Sequence, residues 1–326
     1  MLYSDGAPAW ATLHEDKEHV KGAVWSDSYL ISPAVQTAFD NFWANAPAPD
    51  GIGLQEHYAA AWRHIAKRFA DHPAIIGYDI MNEPFEGSSV MAGQMALLQS
   101  DFALELIKRL GKTPNSALDV AAMWQTPDGR AAITKELNDI KLYTAFVDAQ
   151  NDHNRNFERT LLQPMYQRVA YAIRQVDTKH VLLLETSYSC NTGIYSGIEP
   201  VTGDDGSRDS NQAYVPHAYD IVVDTPQLSE GNNDRIKLIL KRHQETSKRL
   251  QMPMIIGEWG AFGNSSDKGV VSAAEAIQRQ FEKLVCSDTY WDYGRNIDQQ
   301  AYFHTLKRSI PTRVAGELVE YQSDPS

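Results

Sequence analysis

Five short apolar runs alternate with helical segments along this chain, and polar or aromatic residues gather where each run ends. The runs are Ala74–Met81 (AIIGYDIM), Val181–Glu185 (VLLLE), Tyr214–Tyr219, Met252–Trp259 (MPMIIGEW) and Asp288–Tyr293. Runs this short and apolar read as strands buried on both faces, the condition of a parallel sheet covered by helices. Helical spacing fills the gaps, at about 33–44, 53–70, 231–250, 271–285 and 298–308. A long, mainly helical region covers 89–176, with breaks around Gly111–Asn115 and Thr126–Gly129. The first 28 residues read as loop, and GELVEY after residue 312 has strand-like composition.

Strand, helix, strand, helix is the order of an α/β protein. No GxGxxG joins a strand to a helix and no GxxxxGKS/T is present, which argues against a doubly wound nucleotide-binding sheet. Asn82-Glu83, Glu185, His217, Tyr219, Glu258 and Trp291 all fall at strand C-terminal ends, where a β/α barrel assembles its active site. The 326 residues suffice for two average domains or one large barrel. The segment 186–212, rich in Gly, Ser and Asp, is long for a plain connection and reads as functional.

Charge and composition narrow the classes further. With 42 acidic against 30 basic residues the formal charge is −12, the wrong sign for a nucleic-acid binder. No apolar run approaches the length of a membrane span, and the N-terminus does not read as a signal peptide. Cys190 and Cys286 are too few for a disulfide scaffold or a thiolate zinc site; one bridge or two thiols fit equally. Seven Trp and 15 Tyr exceed the needs of a core and suit flat, partly wet ligand surfaces.

Two carboxylates carry the chemistry. Glu83, in YDIMNEPF, follows the first run directly; Glu258, in MIIGEWGAF, has the same placement on the fourth. A glutamate at the mouth of a buried strand is poorly explained by packing, its plain alternative being a salt bridge or helix cap. Such a pair suggests a retaining glycosidase, in which one acid protonates the leaving oxygen while the other attacks, the two standing about 5–5.5 Å apart. Their environments must differ, since the acid needs a raised pKa and the nucleophile must stay ionised. His217 and Tyr219, alternating in PHAYD, point the same way and suit a grip on the nucleophile, although a strand-end His is as often structural. Trp291 offers a flat face for a sugar ring or a piece of rim core, and Asn82 a donor to the sugar 2-hydroxyl.

Other patterns are decoys. His14-Glu15 and His19 miss HExxH by one residue, and no GxSxG is present. Asp204, Asp205 and Asp209 lack a calcium-loop pattern and read as a solvated acidic turn. Asn264-Ser265-Ser266 is a sequon of a kind common by chance. No cluster calls for a metal or cofactor.

On these motifs the chain resembles glycoside hydrolase family 5, the cellulase-like group, and within it the endoglycoceramidases, which release intact glycans from glycosphingolipids. Asn82-Glu83-Pro84 matches the acid/base motif, Glu258 the nucleophile, His217-Ala218-Tyr219 the His-x-Tyr of the sixth strand and Trp291 the eighth-strand tryptophan. The closer likeness rests on GAPAWA (Gly6–Ala11), AFDNFW (Ala38–Trp43) and Glu56–Phe85.

The resemblance implies an α/β fold, a (β/α)8 TIM barrel that is incomplete: strands four to eight fall at Ile75–Ile80, 181–185, 214–219, 252–258 and 288–293, and strands one to three are absent. MLYSDGAPAW would then be the loop after the third strand, residues 1–311 a partial catalytic domain, and 312–326 a tail beginning a missing β-sandwich. It further implies Glu83 as acid/base, Glu258 as nucleophile, and support from Asn82, His217, Tyr219 and Trp291; Trp10, Trp259 and Phe262 suit an apolar aglycone groove or, equally, the core. The partner expected is a glycan or glycolipid, with peripheral lipid contact and self-association through open sheet edges; full-length relatives would be secreted. Two alternatives remain open: a truncated, weakly active or non-catalytic carbohydrate-binding remnant, and a β-glucanase-type enzyme on a soluble polysaccharide.

Overall fold

The structure is a computed structural model that describes residues 7–22, 24–113 and 117–323. The opening MLYSDG, Pro114 and Asn115 of the expected helix break, and residues 324–326 of the expected tail lie outside the described residues. Two compact units share the chain: one runs to Ser100 and adds Ala149–Ser189 and Tyr195–Tyr214, the other holds Asp101–Asp148, Cys190–Ile194 and the chain from Val215 on. Among the described residues no helix is long and apolar enough to cross a membrane.

The first unit is built on a three-stranded parallel sheet in sequential order, β1 (Gly77–Asp79), β2 (Val181–Leu184) and β3 (Gln212–Tyr214). β1 is shorter than the apolar run that predicts it, because its partner begins only at Val181, opposite Gly77. Immediately before β2 the buried Asp177 carboxylate takes the Lys179 and His180 amides at 2.8 and 3.1 Å, holding that stretch in a turn. Helix Leu54–Phe69 opens with Glu56 accepting the Gly53 amide at 3.1 Å and ends with Lys67 and Arg68, which suit the carbonyl end of its dipole. It packs against helix Gln163–Arg174, whose Met165, Tyr166, Val169, Ala170 and Ile173 recur at helical spacing and are buried.

A π-helical turn, Glu158–Leu162, precedes that second helix. It presents the fully buried Glu158 carboxylate to the Ser187 amide (2.8 Å), the Ser196 hydroxyl (2.8 Å) and the Gly197 amide. The segment after β2 is therefore braced. Farther along, Asp209 forms a two-pronged ion pair with Arg174, and Asp205 accepts from the amide and hydroxyl of Ser207, so these acids serve the turn itself.

The second unit pairs β4 (Ile255–Gly260) in parallel with β5 (Ser287–Trp291). Helices Asn233–Leu250 and Lys268–Leu284 pack together, and Ile239, Leu240, Ile256, Trp259, Ala274 and Phe281 meet in its core. Thr126 explains why a helix starts where a break is expected: its hydroxyl accepts the Gly129 amide at 3.2 Å and Pro127 occupies the first turn. The strand expected over 214–219 is confined to Gln212–Tyr214, and beyond it only the isolated parallel bridge His217–Glu258 is present. Likewise the helix expected at 298–308 is a turn, Ile297–Gln299, and one short helix, Phe303–Leu306. GELVEY forms no strand; its Val319 is exposed, and the chain is tied down beyond it where the Ser323 amide meets Glu282 at 3.3 Å. Both cysteines are thiols, and burial pushes Cys286 up to about 12.

Candidate active site

Glu83 sits four residues past β1 on a segment in which the Ile80, Pro84 and Phe85 carbonyls are each held by a donor. The Tyr58 hydroxyl and the Trp62 indole (3.0 Å) both donate to the Ile80 carbonyl. Tyr188 donates its amide to the Pro84 carbonyl at 3.0 Å, and the Trp43 indole donates to that of Phe85 at 2.8 Å. Glu83 is only 7% exposed and holds a φ of 44°, a left-handed conformation uncommon outside glycine. Its amide donates to Oε2 of the buried Glu185 at 2.7 Å, a charge-assisted length. Asn82 beside it is exposed. Three residues on, buried Glu86 pairs with His153, whose pKa is raised by that hydrogen bond against the opposing effect of burial.

In the second unit Glu258 lies where the β4–β5 register slips between Ile256 and Trp259. The slip gives β4 one extra residue, a bulge of the kind that re-aims side chains beside active sites. Gly257 makes this approach feasible: a Cβ there would stand 2.8 Å from Val215 Cγ1 and 3.1 Å from His217 Cδ2. Main-chain bonds then lock the neighbourhood, Gly257 N–H to the Pro216 carbonyl at 2.9 Å and Ala218 N–H to the Glu258 carbonyl at 3.0 Å.

Two side chains meet Glu258 at one oxygen. The Tyr219 hydroxyl donates to Oε2 at 2.9 Å, and His217 Nδ1 stands 3.3 Å from the same atom. Behind Tyr219, buried Asp220 takes the Arg235 guanidinium and the Asn232 amide, each at 2.8 Å, anchoring this segment to the start of helix Asn233–Leu250. His243 of that helix is buried, and a hydrogen bond links it to the His217 backbone. Desolvation drives its pKa down to about 3, so it is neutral at ordinary pH.

The aromatic candidates separate by exposure. Trp291 ends β5 with its side chain 53% exposed. Trp10 is 45% exposed and meets His57 edge-on with ring centroids 4.8 Å apart. Trp259 does not line a groove: it is wholly buried, donates its indole N–H to Asp288 at 2.9 Å and packs on Phe281 and Tyr290. Alternation explains the outcome, since consecutive strand residues face opposite ways. Phe262 is buried in the same core. Glu185, His243 and the aromatic donors on Ile80 and Phe85 were given no role by sequence reasoning. Of these only Glu185, a charged residue ending an apolar run, carried a signal.

The description Cellulase (glycosyl hydrolase family 5) matches residues 18–132 and 143–297. An endoglycoceramidase of Cyanea nozakii is 38% identical over 63 residues, 19% of this chain and 11% of that protein. The solved structure of endo-glycoceramidase II from Rhodococcus sp. in its ganglioside GM3 complex is 27% identical, with a TM-score of 0.66, covering 98% of this chain and 59% of that one. Its lactosyl-enzyme intermediate gives 27% and 0.65, with the same coverage. The chain thus spans about three-fifths of these solved relatives.

Proposed function

This chain belongs to the cellulases of glycosyl hydrolase family 5, a family of TIM-barrel type, and from that premise we propose that it is a retaining glycoside hydrolase acting on a β-linked glycan of a glycosphingolipid. Glu83 donates a proton to the leaving oxygen while Glu258 attacks the anomeric carbon. Water then attacks the glycosyl-enzyme, and Glu83 takes a proton from it as base. The single observation that carries the reading is the grip on Glu258. Tyr219 and His217 both stand at Oε2, which fixes the direction of the carboxylate.

Supporting roles follow the exposure of each side chain. Exposed Asn82 donates to the sugar 2-hydroxyl, and Trp291 stacks beneath a ring, as its half-exposed face permits. Trp10 supplies apolar surface for the aglycone, whereas Trp259 supports β4 from the core. In this reading β1 to β5 take the fourth to eighth places of the family's barrel, and residues up to 311 form the catalytic domain. The lipid aglycone is proposed because the Rhodococcus relative has been solved as a ganglioside GM3 complex and as a lactosyl-enzyme intermediate.

The experiment is product analysis after incubation with lactosylceramide, with a soluble β-glucan in parallel. Release of intact lactose with ceramide supports the glycolipid reading. Cleavage of the glucan alone replaces it with a polysaccharide substrate, and cleavage of neither, with the glycans still bound, makes the chain a binding protein.

A further inference from the structure

We propose that Glu185 is a positioning residue for Glu83: it fixes the main chain of the acid/base so that its carboxyl is held in one direction. The inference rests on the reading of Glu83 as acid/base and adds a residue to it.

Glu185 directly follows β2 and is only 2% exposed, an unusual place for a carboxylate unless it is paired or used. Its Oε2 accepts the Glu83 amide at 2.7 Å. That amide precedes the N–Cα bond whose φ of 44° sets where the Glu83 side chain leaves the backbone. A non-glycine residue keeps such a conformation only where its surroundings over-determine it. Here they do. The Ile80, Pro84 and Phe85 carbonyls are held by Tyr58, Trp62, Tyr188 and Trp43, and the Glu185 carboxylate holds the peptide between them. Glu185 is itself anchored, because the Tyr166 hydroxyl donates to its carbonyl at 3.0 Å and β2 pairs with β1 up to Leu183. Without the carboxylate the Glu83 amide loses this acceptor, and φ can relax toward the ordinary right-handed region, swinging the side chain away.

Acid assistance distinguishes positioning from plain stability. A lipid alcohol is a poor leaving group and needs the proton; dinitrophenolate leaves without it. Glu185→Ala is expected to lower kcat/KM for lactosylceramide by about 10- to 100-fold, the range for a misplaced catalytic group, and for dinitrophenyl β-lactoside by less than about threefold. Glu185→Gln keeps a carbonyl oxygen for the amide and should recover most of the loss. Equal losses on the two substrates, or no loss on either, overturn the proposal.

Two controls keep the outcomes apart. Glu83→Ala must show the same leaving-group selectivity; if it does not, the acid/base reading fails and this inference falls with it. If Glu83→Ala shows selectivity and Glu185→Ala does not, only the role of Glu185 is lost. Independently of turnover, the amide proton of Glu83 should resonate downfield in the wild type and in Glu185→Gln. An unshifted resonance in the wild type contradicts the hydrogen bond itself.

Discussion

The Tyr219 hydroxyl stands 2.9 Å from Oε2 of Glu258, across the one place where the β4–β5 ladder gains a residue. A regular strand would carry the carboxylate past this hydroxyl; the bulge at Gly257–Glu258 turns it toward the segment that bears Tyr219. His217 reaches the same oxygen, so the orientation of this carboxylate depends on two short contacts and one irregularity.

Removing the hydroxyl should therefore cost activity more than stability. A hydrogen bond to a charged group contributes about 1.5–3 kcal/mol, which corresponds to a fall of about 10- to 150-fold in kcat/KM for Tyr219→Phe. Tyr219 is only partly buried and keeps its ring in this variant, so the melting temperature should change little. Steady-state kinetics and a thermal melt on the same preparation check both halves.

Gly257→Ala tests the close approach on the other side of the bulge. The added methyl would meet Val215 Cγ1 at 2.8 Å and His217 Nε2 at 3.2 Å, so either the valine or the imidazole must move. Overpacking of this kind costs about 1–3 kcal/mol, and displacement of His217 should lower turnover as well. Urea denaturation and kinetics measure the two effects separately.

His243 predicts a pH dependence of stability. Burial lowers its folded pKa to about 3 from an ordinary 6.5, with the neighbouring His217 charge acting in the same direction and a backbone hydrogen bond opposing. The unfolded chain binds this proton first, so the stability that neutral His243 contributes is fully present above the unfolded pKa. It is lost as pH falls through the window from about 6.5 to about 3. The slope from this one group is at most about 1.4 kcal/mol per pH unit. Replacing His243 with Asn should flatten the dependence, measured as the difference in urea midpoint between neutrality and about pH 5.

Glu83 and Glu258 stand out in the sequence as candidates because a charged residue closing an apolar run has few structural uses; the structure buries the first and sets the second beside Tyr219 and His217. Strand lengths were not legible, since a ladder needs a partner: β1 stops where β2 offers no further residues, whatever the hydrophobicity of Ala74–Ile76. By sequence Trp259 fits a groove or a core position equally well, and its burial beside Phe281 and Tyr290 decides for the core. The structure sets the Glu258 carboxylate at the Tyr219 hydroxyl and the Trp259 indole in the core. Glu185 was visible at a strand end, but its partner is a main-chain amide 102 residues away, for which no side-chain pattern exists. His243 lies within an amphipathic helix, where a buried imidazole looks like any other inward-facing position.

The most direct test of the central claim is to trap the covalent intermediate. A fluorinated lactoside with a dinitrophenyl leaving group slows breakdown of the glycosyl-enzyme more than its formation, so peptide mass spectrometry can locate the sugar. The account predicts one lactosyl unit on the peptide containing Glu258, absent from Glu258→Ala. A label on any other residue, or turnover that yields the inverted anomer with no adduct, contradicts it.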